Sequence, residues 1–222
     1  MKRDDIQSLL ISSCVVVLTA TVVMQVFVLD DESSDSTGRP YVVDEWDELV
    51  RQAIRLNNAD GRVRILEFAD LECPFCREFH INALTPVLEE YGTSVSAHYL
   101  HFPLPMHQHA RGAAEAAECA AQQGAFGQYV AAVFHDQQLL GVRSWTAYAE
   151  DAGIADTSAF QGCLKTIATS SPRIDLGLRL GNALSIPGTP TVLIDGWLLP
   201  QTPAPDELRR IVEALLAGDD PF

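Results

Sequence analysis

Val63-Arg64-Ile65-Leu66-Glu67-Phe68-Ala69-Asp70-Leu71-Glu72-Cys73-Pro74-Phe75-Cys76 is the stretch that decides the fold. Val63 to Phe68 is rich in apolar residues and reads as a strand. After it, Phe75, Phe79, Leu84, Val87, Leu88 and Tyr91 recur at helical spacing. Pro74 suits the first turn of that helix, where its missing N–H costs nothing. Pro86 is expected to kink or break the helix. Cys73 thus sits where a strand turns into a helix, and unpaired N–H groups with the positive dipole end favour a thiolate there. Two intervening residues wrap a helical turn and bring the second sulfur close to the first. The pattern assigns Cys73 as nucleophile and Cys76 as resolving thiol.

A Cys-x-x-Cys can instead be half of a zinc site, or a pair of buried structural cysteines. A closed zinc site normally needs four ligands, and the chain has no second Cys-x-x-Cys. His101, His107 and His109 follow a strand and loop without a recognised ligand spacing. The redox reading explains more, so no metal and no cofactor are assigned.

Working outward, Trp46, Leu49, Val50, Ile54 and Leu56 mark one face of a helix over 46–56, ended by Asn57 to Gly61. A second strand runs from Ser94 to Phe102. From Pro103 to about Ser170 the chain becomes alanine-rich, with helices expected over 109–123, 126–136, 144–152 and 156–168. Trp145, Tyr148 and Phe160 read as the core of this block. One more helix is expected from Pro172 to Leu184. Ile186-Pro187-Gly188-Thr189-Pro190-Thr191 then leads into the strand Val192-Leu193-Ile194. Asp195-Gly196 is a hairpin turn, Trp197-Leu198-Leu199 the returning strand, and Asp206 to Leu216 a closing amphipathic helix. The order is a βαβ unit and a ββα unit separated by a helical insert, two halves of one sheet flanked by helices. A proline opening an apolar strand is unusual except at an edge or start. With a cis bond before Pro190, the Thr189 backbone can face the cysteines and pair with a substrate chain. The plainer alternative is a turn-and-strand proline.

Leu66-Glu67-Phe68 six residues before Cys-Pro-x-Cys, the helical insert and the late Gly188-Thr189-Pro190-Thr191 together resemble the DsbA-like branch of the thioredoxin superfamily. Phe102-Pro103-Leu104, His107 and Glu118-Cys119-Ala120 strengthen the likeness, which runs from about Val63 to the C-terminus. The resemblance implies an α/β thioredoxin fold with a central mixed sheet and an inserted helical subdomain. It implies a cis bond before Pro190 and thiol–disulfide exchange on exported cysteine-containing proteins. Pro74, Phe75, Thr189 and Pro190 would form the active-site loop and substrate-binding surface. Glu67 would be a partly buried carboxylate that moves protons to and from Cys76; otherwise it is a strand-end surface acid. Strongly oxidising members carry histidine where Phe75 stands, and tend to have valine where Thr189 stands. Phe75 supplies no charge, so a less depressed Cys73 pKa and a less oxidising couple are expected. Dimeric isomerases of the branch have a sizeable N-terminal dimerisation domain, for which Asp30 to Arg62 is short; a monomer is expected. Cys119 and Cys163 lie on different helices of the insert. In an exported domain they are expected to pair as a structural disulfide closing a loop of 44 steps, worth up to ~4 kcal/mol; the alternative is that each is a small buried apolar residue.

Of the 222 residues, 47% are hydrophobic and 20% charged, which is globular rather than disordered. A formal net charge of −15 argues against nucleic acid, which needs a basic surface. Leu9 to Leu29 is an uncharged run of 21 residues, long enough at ~1.5 Å per residue to cross a ~30 Å hydrocarbon layer. Lys2 and Arg3 precede it, so the short N-terminus stays inside and the rest is exported. No A-x-A-like site follows, which favours an uncleaved anchor over a signal peptide. Cys14 is a bystander within the run. The expected organisation is an anchor over 1–29, a polar tether over 30–40, the thioredoxin domain over 41–103 and 172–222, and the helical subdomain over 104–171. An anchored domain of this kind needs a membrane redox partner, either a quinone-linked oxidase or an electron-donating reductase.

Overall fold

A computed structural model describes residues 38–222; the apolar run Leu9–Leu29, Cys14 and the tether up to residue 37 lie outside the described residues. Among the described residues no helix is long and apolar enough to cross a membrane.

The centre is a parallel pair, β3 (Val63–Ala69) and β4 (Val95–His101), in register from Val63 opposite Val95 to Ala69 opposite His101. β5 (Thr191–Ile194) runs antiparallel to β3, and β6 (Trp197–Leu198) returns beside β5 through the Asp195-Gly196 turn. Two short edge strands complete the sheet. β1 (Tyr41–Val42) pairs with β6, and β2 (Ile54–Arg55) with β4, giving the order β1-β6-β5-β3-β4-β2. Helix α1 (Trp46–Gln52) ends four residues short of the expected Leu56. Ala53 turns extended at φ −78°, ψ 159°, and the next residues join the sheet instead. Leu56 N–H donates to Ala97 O at 2.9 Å, while the Asn57 side chain bonds both Val95 O and Ala97 N–H. Backbone pairing at an open sheet edge here outweighs a helical spacing of apolar residues.

Pro86 does not break the helix after Cys76. The chain runs as α2 (Pro74–Phe79), a π-helical turn over His80–Leu84, and α3 (Thr85–Tyr91). A regular α-helix would drive the Pro86 ring into the carbonyl four residues back; the widened turn just before it accommodates the ring. After β4 come the four helices α4 (Ala110–Ala121), α5 (Phe126–His135), α6 (Trp145–Asp151) and α7 (Thr157–Ile167). Ser144 and Asp156 cap α6 and α7 by accepting from Ala147 and Ala159 N–H. Helix α8 (Pro172–Ala183) crosses β4, and α9 (Pro205–Ala217) closes the chain.

Alternation along β3 sends its side chains to opposite faces. Val63 and Ile65 pack with Phe79, Leu84, Val95, Ala97, Leu208 and Ile211 beneath α2, α3 and α9. Leu66 and Phe68 pack with Trp46, Leu49, Leu100 and Phe102 under α1 and α8. By the same alternation Glu67 faces the side of the active-site helix. A third cluster joins Cys73 and Cys76 to Tyr99 and to the insert's Phe126, Tyr129, Val133, Phe134, Tyr148 and Phe160. The two sulfurs therefore pack with the insert as well as with Ala69 and Tyr99 of the sheet.

Candidate active site

β3 ends at Ala69, and Asp70-Leu71-Glu72 turns the chain into α2. Cys73 N–H donates to Asp70 O at 3.1 Å, and Cys73 is the N-cap residue with Pro74 in the first turn. Both cysteines are free thiols. As a thiol, Cys73 donates to the Thr189 carbonyl at 3.2 Å. The Thr189–Pro190 bond is cis. That loop is held by Thr191 Oγ1 donating to Gly188 O and Thr202 Oγ1 donating to Pro190 O.

The two sulfurs differ electrostatically. Cys73 is lowered to about 6, foremost by the hydrogen bond from the Cys76 thiol; partial burial opposes this, and the Thr189 side chain and the Cys76 and Phe75 N–H groups add to it. Cys76 is pushed well above the ordinary thiol range by burial, then by its bond to Cys73 and the Cys73 charge. One sulfur is thus a thiolate near neutral pH, and the other holds its proton. Phe75 projects outward, 68% exposed. Beside it lies a groove of about 420 Å³ lined by Phe75, Phe79, Thr189, Pro190, Pro203 and Pro205.

Glu67 is more buried than the expected partly buried acid, with no solvent exposure. Neither of its oxygens has a hydrogen-bond partner, and Oε1 lies 3.9 Å from His80 Nδ1.

Two residues at the site, Asp70 and Gln137, were not read from the sequence. Asp70, also buried, accepts from Glu72 N–H (2.7 Å), Leu104 N–H (2.8 Å) and His107 Nδ1 (2.7 Å), while its own N–H donates to Cys76 Sγ (3.5 Å). Burial works against a charged His107, but the Asp70 hydrogen bond and charge, with the charges of Cys73 and Glu72, raise its pKa overall. Gln137, from the insert, donates to Leu71 O and Cys73 O at 2.9 Å each. An acid at the end of an apolar strand was a usable signal for Asp70. For Gln137, 64 residues from Cys73, there was none.

The other sequence candidates fall elsewhere. His101 meets Glu118 at 3.1 Å, and His109 packs under Gly141. Among the described residues no three His, Cys, Asp or Glu side chains converge as metal ligands. Cys119 on α4 and Cys163 on α7 are joined by a disulfide, with Cα atoms 5.7 Å apart.

A family model described as thioredoxin matches residues 51–214. The chain belongs to the thioredoxin family. Among solved structures, this thioredoxin-family chain is similar to oxidised BdbD from Bacillus subtilis, 18% identical, covering 82% of this chain and 97% of that one, with a TM-score of 0.66. Proteus mirabilis ScsC in a transitional conformation is 22% identical over 97% of this chain and 94% of its own, with a TM-score of 0.64. The thiol-disulfide exchange protein alpha-DsbA2 from Wolbachia pipientis is 16% identical over 77% and 92%, with a TM-score of 0.63. The DsbA-like thioredoxin fold with its helical insert, expected from the motifs, is borne out. The Na(+)/H(+) antiporter NhaA 3 of Salinispora tropica is 35% identical over 138 residues, 62% of this chain and 21% of the antiporter. NhaA 1 of Mycolicibacterium gilvum is 29% identical over 161 residues, 72% and 25%. The chain spans about a quarter or less of the length of these curated relatives.

Proposed function

We propose that this chain is a protein thiol–disulfide oxidoreductase that exchanges disulfides with exported cysteine-containing proteins. The observation that carries the reading is the inequality of its two free thiols: Cys73 is lowered to about 6 and Cys76 raised well above the ordinary range, both at a helix N-terminus beside Thr189-Pro190. The Cys73 thiolate attacks a client disulfide and releases one client thiolate, forming a mixed disulfide. Cys76 loses its proton and attacks Cys73 Sγ. The Cys73–Cys76 bond forms, and the electron pair of the broken bond leaves on the second client sulfur. The same steps run backwards oxidise a client dithiol. Glu67, buried on the face toward α2, is the acid–base group for Cys76. Phe75 and the groove beside Pro190 offer a client chain apolar side chains mixed with the polar Glu78, Asn82 and Thr202.

The Cys119–Cys163 bond supports an oxidising compartment, as does the apolar run Leu9–Leu29 preceded by Lys2 and Arg3. In this reading the N-terminal run anchors a monomer whose redox domain faces away from the cytoplasm. A membrane redox partner resets it.

The deciding measurement is the reduction potential of Cys73/Cys76, by glutathione equilibration and alkylation. A Cys73 pKa of about 6 predicts a potential between the ~−120 mV of strong oxidants and the ~−270 mV of thioredoxin. A value at or below the thioredoxin end would remove the oxidase direction. A Cys73→Ser protein with undiminished exchange activity would remove the enzyme reading altogether.

A further inference from the structure

Beneath the active-site helix lies a group of buried polar atoms without partners. Both Glu67 oxygens, His80 Nδ1 and Tyr99 OH are buried and make no hydrogen bond. Glu67 and Tyr99 are directly opposed in the β3–β4 register, so their side chains leave the same face of the sheet. The π-helical turn beginning at His80 brings that ring to Glu67, with Nδ1 3.9 Å from Oε1. That gap is too long for a hydrogen bond and short enough for one water to bond both atoms. Buried polar groups nearly always find such a partner, and a polar pocket with several donors and acceptors holds water well. Cys76 belongs to the same group, since both it and Tyr99 feel the Glu67 charge. Glu67 itself has no solvent exposure, whereas 8% of the His80 side chain reaches solvent.

We propose that His80 is the solvent end of a proton path that runs from the Cys76 thiol through Glu67 and a bridging water. This rests on the oxidoreductase reading above and names a positioning residue for its second step. As the mixed disulfide resolves, the Cys76 proton passes to the Glu67 carboxylate, and the Cys76 thiolate attacks Cys73 Sγ. In the same step a proton moves from Glu67 through the water to His80 Nδ1, and the ring releases a proton from its other nitrogen. When a client thiolate opens the Cys73–Cys76 bond, the same path delivers a proton to Cys76. The surroundings leave His80 as the outlet. On its own helix, Arg77 is committed to Phe134 O through Nε. From α5 it meets the Phe134 ring, centroids 5.0 Å apart, while His135 beyond that ring is exposed beside Asp136. Helix α9 buries Leu208, Ile211 and Val212; its Arg209, Arg210 and Glu213 are bonded to Glu90, Pro221 O and Tyr91.

The test uses the full chain in detergent, reduced and mixed rapidly with an aromatic disulfide whose thiol absorbs on release. Attack by Cys73 and resolution by Cys76 then appear as successive phases. His80→Gln keeps a hydrogen-bonding side chain that cannot take up and release a proton. It should slow the second phase at least about tenfold, flatten its pH profile, and be rescued by added imidazole. An unchanged second phase and pH profile in His80→Gln overturns the path. If that variant does not fold, a proton inventory of the wild-type second phase in mixed light and heavy water decides. A curved plot supports a relay of several protons, and a straight one overturns it. A wild-type chain that shows no second phase removes the oxidoreductase reading, and the path with it.

Discussion

Cys73 and Cys76 have the same chemistry and opposite environments. Cys73 caps a helix and takes a hydrogen bond from its partner, while Cys76 sits among apolar side chains of the insert. The bond from Cys76 is the largest cause of the low Cys73 pKa, which makes a direct prediction. Cys76→Ala should move the Cys73 titration, followed by thiolate absorbance, from about 6 toward its ordinary 9.0. Cys76→Ser, which keeps a hydroxyl donor, should recover part of the difference. An unmoved titration in Cys76→Ala would show that the helix terminus alone sets the value. Phe75 makes the converse case, because its exposed ring leaves room for a charge. Phe75→His should depress the Cys73 pKa further and raise the reduction potential, both read on the same protein.

Elements bring these residues together, and they differ in how openly the sequence displayed them. β3, α2 and the β5–β6 hairpin were legible, since each joins a clear periodicity to a turn or cysteine motif. β1 and β2 were not: each is a two-residue strand, too short for any period. Ile54 and Leu56 instead completed a helical pattern that only the open edge of β4 overrides. Cys73, Cys76 and Pro190 were marked by local motifs. Asp70 and Gln137 act through partners far along the chain, Leu104 and His107 for one and Leu71 and Cys73 for the other, and periodicity carries no record of such pairings. Helix α8 approaches β4 closely enough that a Cβ on Gly177 would lie 2.1 Å from His101 O. Gly177→Ala should therefore lower stability in urea by about 1–3 kcal/mol. The α4–α7 link is a second element-scale test. Replacing Cys119 and Cys163 by alanine should cost up to ~4 kcal/mol in the chain-entropy account and leave the Cys73/Cys76 potential unchanged.

For the whole molecule, the active-site thiolate is a contribution to stability that depends on pH. Cys73 has a folded pKa of about 6 against an ordinary 9.0, so its stabilisation is complete above about pH 9 and is lost as pH falls toward about 6. Cys76 is shifted the other way, and its thiol ionises in the unfolded chain only near and above 9.0. It adds no slope below that. The melting temperature of the reduced protein, compared with reduced Cys73→Ala, should therefore show a gap that closes from pH 9 to pH 6. A gap constant across that range would contradict the Cys73 assignment. Both active-site sulfurs also belong to the apolar cluster built by the insert, and Gln137 ties that insert to the backbone of Cys73. The helical block is thus not a detachable module. A chimera that grafts the Cys-Pro-Phe-Cys turn onto a thioredoxin lacking the block would carry over the motif and leave behind the wall that keeps Cys76 dry, so motif and insert have to be transplanted as one unit.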